Sequence, residues 1–466
     1  MLRTPQFEEK VLLERDRLAD FFASNETQRI AIQKIFCKLG FSKKISMSDY
    51  AEVITNLEEG SIAVHFFGML LLFASILVCV LVDPIYGILA IIGSVGFCVI
   101  SYYKLKAKVE MYFICVRQLM KLLDCAKDIC KLNIPELSSY NAHLKEMKSK
   151  FNNIKRYSFW IDSGIGTDGS IAAILMDYLK MFTHSDLIAF QLVVKRLKNQ
   201  EKEINEMMDC LGSLEAATAI ASFRRFLNDQ WCKPELIATQ GKMTGIQAED
   251  LYHPMITEPV VNSLQENRCV LLTGSNASGK STFLKTVAIN AILAQTIYTC
   301  TAKNYRADFF RVYSSMALRD DLNNSESYYI VEIKSLKRIM DKATDGNPVP
   351  VLCFVDEVLR GTNTIERISA SSQILSELAR FNVMCIAATH DIELTDILQR
   401  QYANYHFQEE VVDEDVLFNY RLYEGKATSR NAIQLLKIMG YDAQVTAKAD
   451  AMAQKFMNQG EWEVLA

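Results

Sequence analysis

The stretch from Cys269 to Thr282 reads CVLLTGSNASGKST, and the order of its parts decides the architecture. An apolar strand, CVLLTG, runs directly into GSNASGKST (Gly274 to Thr282), and FLKTVAINAILAQ continues as a helix. A strand, a GxxxxGK[ST] loop and a helix in that order form a phosphate-binding unit. Glycines permit the tight backbone path, while loop amides and the helix N-terminus face an anion. Gly274, Asn276, Gly279, Lys280, Ser281 and Thr282 are therefore the candidate nucleotide-binding residues. Lys280 is expected to neutralise the β- and γ-phosphates of ATP, and Ser281 to ligate Mg2+.

Two further apolar runs end in reactive groups. VPVLCFVDE delivers Asp356 and Glu357 at its carboxyl end and continues into RGTNT, Arg360 to Thr364. Asp356 is expected to hold the Mg2+ hydration shell, and Glu357 to polarise the attacking water. FNVMCIAATH ends at His390, an imidazole placed to sense the γ-phosphate. Taken alone, each strand end also suits solvated acids or a structural histidine. Three such motifs in succession favour catalysis.

Outward from this half, the chain becomes apolar. Over 466 residues the mean hydropathy is +0.06, high for a soluble protein of this length. The surplus sits in IAVHFFGMLLLFASILVCVLV (Ile62–Val82) and IYGILAIIGSVGFCVISYY (Ile85–Tyr103), separated by Asp83-Pro84. Neither run holds an Asp, Glu, Lys or Arg, and each is long enough to cross a hydrocarbon core of about 30 Å as a helix. Asp-Pro marks a turn, so residues 62–103 read as a two-helix transmembrane hairpin. A hairpin buried in a large soluble core is the other reading. Lys43 and Lys44 lie upstream, and Lys104, Lys106 and Lys108 downstream. The positive-inside rule then keeps both ends, and the nucleotide half, in the cytoplasm. Gly87, Gly93 and Gly96 are expected to allow close helix packing.

The net charge of −4 shows no overall basic signature of a nucleic-acid binder, but it averages unlike parts. Residues 249–466 carry 21 Lys+Arg against 28 Asp+Glu, whereas residues 104–156 carry 12 against 5. The basic stretch suits a solvated helical face, attraction to anionic lipid, or a nucleic-acid contact. Residues 7–40 show helical periodicity with interleaved charges, and residues 183–230 read as one long helical segment. Gly164, Gly166 and Gly169 spell GxGxxG with no strand before them, so they read as a loop. Twelve cysteines without a CxxC pair point to reduced thiols, and Cys125 and Cys130, the closest pair, have no nearby His to make a metal site.

The nucleotide half resembles the MutS family of DNA mismatch-repair ATPases. The likeness rests on Gly274–Thr282, on Asp356–Thr364, on Ala388–His390, and on the Asp321–Glu332 stretch. LYHPMI (Leu251–Ile256) is similar to the family's His-Pro element, and YEGKATSRNAIQLLKIMG (Tyr423–Gly440) to a helix near its dimer interface. Three features depart from the pattern. Ala277-Ser278 stands for Met-Gly, Leu359 for Gly, and Asn324-Ser325-Glu326 for Ser-Gly-Arg. The residues before 183 are too few for the family's mismatch-reading and connector domains.

The resemblance implies a Mg2+-dependent ATPase acting as a homodimer with composite sites, in which Ser327 reaches the γ-phosphate bound by the other protomer. The expected fold is an α/β P-loop (ABC-like) ATPase domain over 249–466, preceded by an all-α core and lever region over 1–248 that contains the hairpin. The expected function is ATP binding and hydrolysis of the mismatch-repair type, with double-stranded DNA as a partner. The alternative is a membrane-anchored mechanochemical ATPase acting on a protein or membrane partner without DNA.

Overall fold

The computed structural model describes residues 4–40, 63–151, 154–162, 171–198, 200–238, 243–275, 278–316, 328–359, 362–412, 415–427, 433, 436–437 and 439–460. Asn276, Ser327, Arg360-Gly361 and the Gly164–Gly169 loop lie outside them. By internal contacts the chain divides into two compact units: Met1–Arg17 with Ile220–Ala466, and Leu18–Ala219.

Helices fill the described chain before residue 227. They are α1 (Glu9–Ser24), α2 (Glu26–Leu39), α3 (Ala63–Leu81), α4 (Pro84–Lys131), α5 (Ser138–Lys150), α6 (Ser158–Asp162), α7 (Ile171–Thr183), α8 (Ser185–Leu197) and α9 (Glu201–Phe226). The segment expected to be a long helical stretch over 183–230 is instead two helices, α8 and α9, with a further break just before α8 that separates it from α7. His184 adopts a left-handed φ of 52°, and Lys198 turns to ψ 130°. Either geometry interrupts the i→i−4 ladder.

Within the Leu18–Ala219 unit, α3 and α4 form an antiparallel pair. Asp83 caps α4 by accepting from the Ile85 and Tyr86 amides at 2.8 and 3.3 Å, with Pro84 in the first turn. Ser75 and Ser94 hydroxyls bond across the pair at 2.9 Å. Gly87 permits the close approach, since a Cβ there would lie 2.1 Å from the Cys79 Cα. Gly93 and Gly96 face open space, so close packing falls on Gly87 and not on all three. Pro84–Glu110 is long and apolar enough to cross a membrane, and His65–Leu81 is a shorter apolar helix. Only 22% of the most apolar window of Pro84–Glu110 is buried, far less than a core helix of a soluble protein would show. Phe73, Val80, Ile85 and Ile92 on the pair are each more than 60% exposed.

In the other unit the strands form two sheets. β1 (Glu235–Ile237), β2 (Ile246–Leu251), β3 (Asn262–Glu266) and β5 (Asn304–Asp308) make a small sheet in the order β1-β5-β2-β3. β4 (Cys269–Thr273), β6 (Arg311–Ser315), β7 (Val351–Asp356), β8 (Val383–Ala388), β9 (Tyr402–Val412) and β10 (Asp415–Glu424) make the larger one, in the order β10-β9-β4-β8-β7-β6. All its pairings are parallel except β10 with β9. The period-two alternation of its central strands feeds two cores. Val270, Leu272, Phe354 and Ile386 pack on the face of α10 (Lys280–Ile297), with Phe283, Leu284 and Val287. Leu271, Cys353, Val355 and Cys385 pack on the opposite face, with Leu336 and Ile339 of α11 (Tyr328–Ala343) and Leu375 and Leu378 of α12 (Thr364–Leu378). Short α13 (Glu393–Ile397) and terminal α14 (Ala443–Gln459) complete the unit.

The N-terminal residues join this unit through one buried cation. Arg224 is 2% exposed; its guanidinium donates to Asp16 at 2.8 Å, to the Thr299 hydroxyl at 2.9 Å and to the Tyr298 carbonyl at 3.0 Å. It also lies 4.5 Å from the centre of the Trp231 ring, and Lys233 takes the other oxygen of Asp16 at 2.7 Å. Arg15 adds a bond to the Thr296 carbonyl at 2.6 Å. Residues 4–17 are thereby fastened to the end of α10. Arg224→Ala, which leaves Asp16 and two carbonyl or hydroxyl acceptors short of a donor, is expected to lower stability by about 3–5 kcal/mol. Urea unfolding of the full chain in detergent, followed by tryptophan fluorescence, reads this loss; an unchanged midpoint would contradict it.

Candidate active site

Parallel pairing brings the three motif strands side by side. Leu272 of β4 registers with Ala388 of β8, and Ala388 registers with Asp356 of β7. The carboxyl ends of β4, β7 and β8 therefore open at one edge, where ligands of open α/β sheets bind. Thr389 continues the ladder by donating its amide to the Leu272 carbonyl at 2.9 Å, and Glu357 donates to the Ala388 carbonyl at 3.0 Å.

After β4 the chain turns at Gly274, whose φ is 141°. A Cβ there would fall 2.6 Å from the Phe407 carbonyl oxygen, so side chain and conformation both require glycine. Gly279, at φ 108°, precedes the first turn of α10, which Lys280 opens. Lys280 is 5% exposed, and its ammonium donates to the Gly274 and Ser275 carbonyls at 2.8 and 2.6 Å. Burial lowers its pKa to about 8, against the raising effect of Glu357, Asp356 and Glu409. The Ser278 hydroxyl is buried in the same loop with no hydrogen-bond partner among the described residues. Glu409 of β9, 8% exposed, accepts from the Ser275 hydroxyl at 2.8 Å. An unmatched hydroxyl, a cationic ammonium and a helix N-terminus together suit the oxygens of a polyphosphate.

The acids and the imidazole meet beside this loop. Glu357 Oε1 lies 3.0 Å from His390 Nε2, which makes the Nε2–H tautomer the fitting donor. Glu357 holds a left-handed φ of 58°, and Leu359 one of 56°. Both belong to the turn that lifts the carboxylate off the strand, and the Leu359 amide is tied to the Glu332 carboxylate of α11. The turn carrying His390 is fixed by its neighbour: Asp391 takes a bidentate ion pair from Arg367 of α12, at 2.6 and 2.8 Å. Asp356 and Ser281 supply a carboxylate and a hydroxyl, the hard oxygen donors that Mg2+ prefers.

The structure thus gathers Gly274, Gly279, Lys280, Ser281, Thr282, Asp356, Glu357 and His390 at one sheet edge. Asn276 and Ser327 fall outside the described residues. Three contributors were missed in the sequence: Glu409, Arg367 and the wall of an adjoining cavity. That cavity, of 320 Å³, lies against Gly279 and Thr282 and is lined by His253, Ile256, Phe283, Phe407 and Tyr420. Its largely apolar walls, with Phe283, Phe407 and Tyr420, suit a planar base next to the phosphate loop.

A family model described as MutS domain V matches residues 270–457. The DNA mismatch repair protein MutS of Thermotoga maritima is 27% identical over 281 residues, covering 58% of this chain and 34% of its own length. The MutS protein of Pseudothermotoga lettingae is 30% identical over 222 residues, covering 45% and 27%. That of Thermus aquaticus is 27% identical over 270 residues, covering 57% and 32%. The chain spans about a third of the length of the curated relatives it matches. The strand, loop and helix order of this unit lies inside the matched region, so residues 270–457 are similar to MutS domain V.

Proposed function

We propose that this chain is a Mg2+-dependent ATPase of the mismatch-repair type, working as a homodimer and anchored in a membrane. The observation that supports it best is the convergence of Lys280, Asp356, Glu357 and His390 at the carboxyl ends of three adjacent parallel strands. In this reading Lys280 leaves the loop carbonyls for the β- and γ-phosphates, and Ser278 gains the partner it lacks. Bound Mg2+, held by Ser281 and Asp356, would neutralise phosphate charge. Glu357 accepts a proton from the attacking water, oriented by the Nε2–H of His390, while Arg367 positions His390 through Asp391. Ser327 would complete the site of the other protomer.

Glu357→Gln is expected to lower ATP turnover by about 10²–10⁴-fold while ATP binding persists. Size-exclusion chromatography with ATP should then show a trapped dimer. Unchanged turnover would remove Glu357 as the base.

The depressed Lys280 also sets a pH dependence. Phosphate binding needs the ammonium, which loses its proton as pH rises through about 8. The Kd for a fluorescent ATP analogue is therefore expected to rise about tenfold from pH 7 to pH 9. A flat profile would place Lys280 off the phosphates.

Membrane anchoring is supported by the exposed apolar faces of α3 and α4 and by the lysines that follow them. Alkaline carbonate should leave the chain in the membrane pellet; release into the supernatant would reject the hairpin. For the DNA partner the support is the family and the basic stretch 104–156. Binding of the full chain to homoduplex or mismatched DNA should weaken steeply with salt. No binding at low salt would leave the second reading, action on a protein or membrane partner, which the apolar hairpin favours.

A further inference from the structure

One buried acid beside the phosphate loop has no part in the chemistry above. Asp356 and Glu357 come from the end of β7 and its following turn, and serve Mg2+ and the attacking water. Glu409 reaches the loop from the other side. β9 flanks β4 on the edge away from β8 and β7. Its pairing also carries it past the end of β4, because Thr273, the last residue of β4, registers with His406. From Phe407 onward β9 therefore runs alongside the loop itself.

Alternate residues of a strand share a face. Phe407 packs on Phe283 of α10 with ring centres 5.8 Å apart, which places Glu409 on the α10 side, two residues or about 7 Å further out. The Glu409 carboxylate is 8% exposed and accepts from the Ser275 hydroxyl at 2.8 Å. The carbonyl of the same Ser275 accepts from the Lys280 ammonium at 2.6 Å. Ser275 thus bridges the loop's cation and an acid of the neighbouring strand. The loop cannot draw away along its other contact, since Gly274 lies directly against the Phe407 carbonyl.

A carboxylate in this place acts in opposite ways before and after a nucleotide arrives. In the empty loop it offsets the buried charge of Lys280. Once phosphate oxygens take up Lys280, the carboxylate faces a polyanion of its own sign across one residue, with little water to screen it. The hydrogen bond to Ser275 does not account for the charge, because a hydroxyl donates equally well to a neutral carbonyl.

We propose that Glu409 is a specificity-determining residue of the phosphate loop, which weakens the binding of a polyphosphate whose charge no divalent cation compensates. The proposal deepens the ATPase reading above and rests on it. Coulomb energy scales with the charge of the ligand, about −4 for metal-free ATP and about −2 for its Mg2+ complex. The free-energy penalty from Glu409 is therefore about twice as large for the metal-free form.

The test measures the Kd of adenylyl imidodiphosphate, a non-hydrolysable ATP analogue, for the full chain in neutral detergent, once with Mg2+ and once with EDTA. Glu409→Gln keeps an acceptor for Ser275 and removes the charge. It is expected to tighten the metal-free analogue about tenfold and the Mg2+ complex only about threefold, the square root of the first, as half the charge requires. Ser275→Ala removes the hydrogen bond, leaves the charge, and should keep the wild-type ratio of the two Kd values. An unchanged ratio in Glu409→Gln, whether both forms tighten equally or neither moves, would overturn the proposal. Weaker binding of both forms would show a positioning role and overturn it as well. So would Ser275→Ala reproducing the Glu409→Gln ratio, since the bond and not the charge would then be the cause. Lys280→Ala separates this proposal from the reading beneath it. Binding indifferent to Lys280, or none in wild type, removes the ATP site and the selector together. Binding that requires Lys280, with an unchanged ratio in Glu409→Gln, removes the selector alone.

Discussion

Parallel pairing of β4, β8 and β7 is the constraint on which the rest of the nucleotide unit depends. Once Leu272, Ala388 and Asp356 share a register, the loop after β4, the acids after β7 and the imidazole after β8 must emerge together. That register is fixed because both faces of these strands are buried, so a slip by one residue would exchange the two cores. The same burial strips water from Lys280 and lowers its pKa, and it forces the turn at Gly274 against the Phe407 carbonyl. Packing thus sets the electrostatics of the site.

A second constraint lies at the other side of the same unit. Arg224 collects Asp16, Thr299 and Tyr298 around one guanidinium, and residues from the first helix thereby belong to a unit whose strands begin more than 200 residues later. Composition and periodicity hold no trace of this, because a single buried ion pair between distant segments leaves local patterns unchanged. The boundary read from the sequence follows motifs, whereas the compact units follow contacts.

The strands β4, β7 and β8 were legible because strands buried on both faces read as continuous apolar runs ending in chemistry-bearing residues. Glu409, Phe407 and Tyr420 were not, because they reach the site from β9 and β10 through tertiary pairing alone. In the helical unit, α3 and α4 stood out by length, while α7 did not. Its 13 residues fall short of a span, and its character shows only when its apolar stripe is seen to face outward. The break at His184 was likewise hidden, since a left-handed histidine leaves no mark on helical periodicity.

The central claim is that the edge formed by β4, β7 and β8 is a working ATP site. The most direct measurement is steady-state phosphate release from ATP by the full chain and by Lys280→Ala, each with and without Mg2+. Turnover that requires Mg2+ and falls to background in Lys280→Ala is the result this account expects. Turnover indifferent to Lys280, or none in the wild-type chain with Mg2+, would contradict it.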